Sequence, residues 1–108
     1  MGGERVPLTA ADIAAMAGGR VVAGDTEVAP TGFSIDSRSI TTGDAFFAIV
    51  AARNGHAFVG DAVARGAAVV VVSQPVEDAA AAAATVVGVS DTTRALQDVA
   101  RQVRRRSG

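Results

Sequence analysis

The chain has 108 residues, enough for one domain, with 49% apolar residues, 19% charged residues and a formal net charge of −1. Such a composition can bury roughly 65% of the unfolded surface, which excludes a disordered chain, and the near-neutral charge argues against a general nucleic-acid binder. With no cysteine and one histidine, a disulfide framework, a thiol nucleophile and a thiolate metal site are excluded, and a histidine metal cluster is disfavoured.

In chain order, the first seven residues carry no apolar signal-peptide core, and no later run approaches the ~20 residues of a membrane span. The chain therefore reads as soluble and cytoplasmic. Thr9 and Asp12 form a capping-box pattern, and Leu8 and Ile13 stand at the two positions of a hydrophobic staple. A helix is predicted over residues 10–17, closed by Gly18-Gly19. Residues 20–23 and 27–29 read as short strands around a Gly24-Asp25 turn.

Residues 33–35 alternate apolar with polar and lead into the polar strand end Asp36-Ser37-Arg38. After a turn at residues 41–44, the apolar run 45–50 suits a strand covered on both faces, as parallel strands are. Asn54-Gly55-His56 opens a helix to about residue 65, with Phe58, Ala62 and Val63 inward and Gly66 as its stop. Residues 67–72 form the most β-branched strand, so residues 45–72 make a right-handed βαβ unit. The alanine-rich residues 76–84 read as a short helix or loop, and residues 85–89 as another strand. Asp91 and Thr92 can cap a last helix with Ala95, Leu96, Val99, Ala100 and Val103 on one face, ending in an arginine cluster. The fold class expected is α/β, a small open, largely parallel or mixed sheet with flanking helices, in a single domain over residues 1–108.

Three polar clusters could carry chemistry. Asp36-Ser37-Arg38 follows a strand, where α/β sheets bind ligands, and arginine with a hydroxyl suits a phosphate. From spacing alone a solvated turn closed by an Asp–Arg pair accounts for it better, because polar strand ends are common. Arg53-Asn54-Gly55-His56 enters a helix whose free amides could attract an anion, or Asn54 could act as a plain cap. The arginines at 101–106 lack interleaved aromatics, so a helix terminus accounts for them better than an RNA contact. All ten basic residues are arginine, so a phosphate loop with its lysine is absent, as is a Gly-x-Gly-x-x-Gly turn. No catalytic or metal-binding residue is assigned.

The order of the motifs is more specific than any one of them. Ser34-Ile35-Asp36-Ser37-Arg38 is followed by Gly43-Asp44-Ala45-Phe46-Phe47-Ala48-Ile49, by Gly55-His56-x-Phe58, and by Ala62-x-x-x-Gly66-Ala67. This succession resembles the N-terminal domain of the Mur ligases, the ATP-dependent amide ligases of peptidoglycan biosynthesis. The early Gly18-Gly19 and the late run from Val89 to Leu96 look most like the MurF branch, which adds D-alanyl-D-alanine to UDP-N-acetylmuramoyl-tripeptide. The MurE branch, which adds the third stem-peptide residue, shares the central motifs.

The resemblance implies a UDP-sugar-binding domain whose ATP and Mg²⁺ chemistry belongs to a central domain beyond this chain. UDP-N-acetylmuramoyl-peptide is then the partner, with no cofactor in this segment, no nucleic acid and no membrane insertion. By motif, Asp36, Ser37 and Arg38 would form one side of the substrate site and Asn54, Gly55 and His56 the other. The segment Val50-Ala51-Ala52-Arg53-Asn54 departs from the family's longer polar loop. That departure is the support for a different reading, a non-catalytic nucleotide-binding or interaction module that kept the fold.

Overall fold

A computed structural model describes residues 8–50, 55–74 and 84–107. Helix α1 spans Ala10–Met16, and Thr9 and Asp12 close the capping box reciprocally at 3.2 and 3.0 Å. Its C-terminus is a Schellman turn: Gly18 adopts φ 70°, and the amides of Gly19 and Gly18 reach back to the carbonyls of Ala14 and Ala15. Strand β1 follows at Arg20–Ala23.

Residues 27–29 form no strand, contrary to the alternation in the sequence. The carbonyls of Thr26 and Val28 accept the Ala11 and Ala10 amides, two of the orphan donors at the start of α1. Carbonyls committed to a helix terminus are withdrawn from a sheet ladder.

Strands β2 (Phe33–Ser34), β3 (Ala45–Phe47), β4 (Val69–Val72) and β5 (Thr85–Gly88) complete a five-stranded sheet in the order β1-β5-β4-β3-β2. β2 through β5 run parallel, whereas β1 pairs antiparallel with β5. The expected parallel pairing of the Phe-Phe run with the valine run is present, with Phe46 opposite Val70 and Phe47 opposite Val71. Both strands are buried throughout, as continuous apolar runs require.

Alternation along the strands divides the core in two. Phe47, Val69, Val71 and Val87 face α1 and the long helix α3 (Thr92–Ser107), packing on Ile13, Ala14, Ala95 and Val99. Phe46, Val70, Val72 and Val86 face the other way, onto Ile40, Val59 and Ala62. Helices thus cover opposite faces of one sheet. Ala100, expected inward on α3, is exposed; Ala95, Leu96, Val99 and Val103 carry that face.

The connection from β3 to β4 is less helical than its sequence suggests. It starts as a 3-10 turn at Gly55–Phe58 and becomes α-helix α2 only over Val59–Ala64. Val59 is the apolar anchor missed by the inward set Phe58, Ala62 and Val63. Gly66 ends the segment at φ 107°, where an added Cβ would lie 2.9 Å from the Thr42 Cα. Residues 75–83, covering most of the alanine-rich stretch, lie outside the described residues.

Candidate functional site

Four parallel strands bring their carboxyl ends to one edge, and the segments leaving that edge diverge. The chain leaving β3 goes to the α2 face and the chain leaving β5 goes to the α3 face. Ligands of open α/β sheets gather outside such carboxyl ends. At this edge the buried Thr92 hydroxyl donates to the Ala48 carbonyl at 2.7 Å, fastening the start of α3 to the end of β3. Thr92 is therefore a tether, and Asp91 is the cap, accepting from the Arg94 amide at 3.1 Å.

After β2 the chain turns through Asp36 into a 3-10 turn at Ser37–Ser39. Asp36 caps this turn through Oδ1, which accepts the Arg38 amide at 2.9 Å. The same carboxylate takes the Arg38 guanidinium in a two-point fork, Nε to Oδ1 and Nη2 to Oδ2, both at 3.1 Å. Hydrogen bonds from Arg38, with its positive charge, hold the Asp36 carboxyl below the usual carboxylate range, and Asp36 in turn raises the guanidinium. The Arg38 side chain remains 81% exposed; Asp36 takes its Nε–Nη2 side and leaves the Nη1–Nη2 edge facing solvent.

Ser37 points the opposite way. It is 5% exposed, on the side of the turn that packs against α2. The Ser37 hydroxyl is the main influence holding the Asp61 carboxyl below its ordinary value, followed by Arg65, whose Nε lies 3.3 and 3.2 Å from the two Asp61 oxygens. Asp36 and Arg38 thus stand on the solvent side of the turn, and Ser37 on its helix side.

Gly55 and His56 open the 3-10 turn that leads into α2, the helix against which the Asp36–Arg38 turn packs. Two of the predicted clusters therefore lie on neighbouring elements of one face. Asn54 and Arg53 lie outside the described residues. Sequence reasoning missed Asp61. The Asp61–Arg65 spacing of four was the available signal of an ion pair, but nothing local announces a serine 24 residues upstream as an influence on its carboxyl. Among the described residues, no group of three histidine, aspartate or glutamate side chains could hold a metal ion, and no helix is long and apolar enough to cross a membrane.

The architecture is that of a mixed α/β domain with a helix-covered sheet and a polar, arginine-bearing carboxyl edge. Residues 30–104 match the family described as "Mur ligase family, catalytic domain", and the chain belongs to the Mur ligase family. It is 34% identical over 80 residues to UDP-N-acetylmuramoyl-L-alanyl-D-glutamate–2,6-diaminopimelate ligase of Cytophaga hutchinsonii, covering 73% of this chain and 16% of that protein.

Among solved structures, MurF from Acinetobacter baumannii superposes with a TM-score of 0.70 at 30% identity, over 86% of this chain and 20% of that one. A structure of the UDP-N-acetylmuramoylalanyl-D-glutamyl-2,6-diaminopimelate–D-alanyl-D-alanyl ligase from the same organism gives 0.69 at 30% identity, covering 88% of this chain and 22% of that one. The chain spans about a fifth of the length of these relatives. The sequence has no lysine and therefore no Gly-x-x-x-x-Gly-Lys-[Ser/Thr] phosphate loop.

Proposed function

We propose that this chain is the UDP-substrate-binding domain of a cytoplasmic ATP-dependent Mur ligase and holds the UDP end of UDP-N-acetylmuramoyl-peptide. ATP and Mg²⁺ would be handled by a central domain of the ligase, and no amide-forming group belongs to these 108 residues. The observation that carries the reading is the Arg38 guanidinium, pre-aligned by Asp36 yet open to solvent, on the first loop at the carboxyl edge of a Mur-ligase-family sheet. The Nη1–Nη2 edge of a guanidinium held in one orientation suits a diphosphate because little side-chain freedom remains to be lost on binding. Gly55 and His56 open the adjacent turn and, with Asn54, would form the second side of the site.

One domain supplies only part of a ligase's contacts, so weak binding is expected, in the region of ~1 mM. The test is an NMR titration of the chain with UDP. Shifts clustered on residues 34–38 and 55–58, abolished by Arg38→Ala, support the reading. Shifts clustered on the arginines at 101–106 would place the ligand on that cationic surface and overturn the reading.

The step catalysed by the ligase is proposed to be the addition of D-alanyl-D-alanine to the tripeptide substrate, supported by the MurF structures. The diaminopimelate ligase of C. hutchinsonii supports the other branch, addition of the third residue. Amide formation by the ligase containing this domain, assayed with D-alanyl-D-alanine against diaminopimelate, decides between them.

A further inference from the structure

We propose that Thr92 is a positioning residue of this site: its hydroxyl bond to Ala48 holds the end of β3 in the direction that sets the two sides of the site at their working separation. The inference rests on the reading of Arg38, Gly55 and His56 as ligand contacts and assigns a role to a residue on a different element.

The end of β3 stands between the two sides. Asp36 and Ala48 each lie two residues beyond the Ser34–Phe46 pair, so the Asp36–Arg38 turn leaves β2 level with Ala48. On the other side, the chain that runs on from Ala48 is the one that reaches Gly55 and His56. The direction in which β3 ends therefore governs how far the second side stands from the first.

Ala48 is held through both of its backbone groups. Its amide donates to the Val71 carbonyl of β4 at 2.9 Å, within the sheet. Its carbonyl accepts the Thr92 hydroxyl at 2.7 Å, from the helix above the sheet, and both residues are buried. β4 lies between β5 and β3, so Thr92, four residues past the end of β5, reaches across the intervening strand. A strand end bonded on one side can pivot about that bond, and a second directional bond from another element removes the pivot. Packing does not replace it, because Ile49 is only partly buried on the core and Val50 is exposed.

The hydroxyl is not needed by its own helix. Asp91 supplies the cap at the start of α3, and Ala95 and Val99 anchor that helix in the core. Thr92 thus presents its donor from a rigid element and spends it on β3.

The test uses the ¹⁵N-labelled chain and three variants: Thr92→Val, Thr92→Ser and Asp44→Ala. Two quantities are read, the UDP affinity from titration and the relaxation-derived order of the Ile49 and Val50 amides without ligand. Thr92→Val removes the donor at nearly unchanged side-chain shape. UDP binding should weaken roughly 3- to 10-fold, within the worth of one net hydrogen bond, and order at Ile49 and Val50 should fall. Thr92→Ser keeps the donor and should stay within about twofold of the parent. Asp44→Ala breaks bonds to Thr31 and Thr41, away from the site, and should leave UDP affinity within about twofold despite its loss of stability. A merely structural Thr92 would behave as Asp44 does.

Parent-like affinity in folded Thr92→Val, or a loss that Thr92→Ser does not restore, would overturn the inference. If Thr92→Val does not fold, the parent decides: Ile49 and Val50 amides as ordered as those of Phe46 and Phe47 uphold the tether, and amides with the order of a free loop overturn it. If the parent itself shows no UDP shifts, the functional reading fails; the hold of Thr92 on β3 is then upheld by a fall in amide order in Thr92→Val and overturned by its absence.

Discussion

At the amino end of the parallel strands, Asp44 accepts from the Thr31 hydroxyl at 3.3 Å and from the Thr41 amide and hydroxyl at 3.0 Å each. Thr85 exchanges bonds with the Asp25 backbone at 3.0 and 3.1 Å, and Gly66 admits the Thr42 backbone. Polar groups there are spent on closing the fold. At the carboxyl end, the Asp36–Arg38 fork closes only its own three-residue turn and leaves the guanidinium in solvent. The same kinds of residue do opposite work at the two ends. A guanidinium is left open to solvent where the fold does not need it.

Substitutions at the two ends should therefore separate stability from binding. Asp44→Ala removes an acceptor from three donors at once and should cost about 3 kcal/mol, read as a lower urea midpoint at unchanged slope. Gly66→Ala places a Cβ against the Thr42 backbone at a φ of 107°, and about 2 kcal/mol should be lost in the same experiment. Thr92→Val leaves the Ala48 carbonyl without its buried donor at the carboxyl end, where a loss of about 1.5 kcal/mol is expected. A larger loss for Thr92→Val than for Asp44→Ala would erase the contrast between the two ends.

Arg38→Ala is the converse. Thermal unfolding should show no measurable change, because its ion pair is exposed, whereas UDP binding should vanish at millimolar ligand. A clear drop in melting temperature would make the Asp36–Arg38 pair a structural device instead.

Acid sharpens the comparison last. Asp36 and Asp61 both titrate below the ordinary carboxylate value of 3.8, so the folded state binds fewer protons there than the unfolded state. Their small contribution is fully present well above that value, and it disappears as pH falls through the depressed folded values. Asp61→Asn should flatten the part of the acid limb that lies below about pH 4, measured by urea midpoints across that range.

Strong local signals were legible in the chain alone. The capping box at Thr9 and Asp12, the glycine stop at Gly18, the buried valine run of β4 and the turn residue Gly66 each depend on neighbours within a few positions. The Asp36–Arg38 pair was legible as well, both as a candidate contact and as a closed surface turn. The strand proposed over residues 27–29 failed because the carbonyls of Val28 and of the preceding Thr26 serve helix α1, a demand set by a different element.

Identity of residues at close spacing determined the helix ends, the two-faced strands and the presence of an arginine-bearing turn after β2. Only the tertiary structure decided that Ser37 is buried on the α2 side while Arg38 stays outside, that Thr92 braces β3, and that β1 closes the sheet antiparallel. The reason is one of range. Capping and alternation act within a few residues, whereas the partner of a buried hydroxyl or of an edge strand is chosen by which distant segments the core brings together.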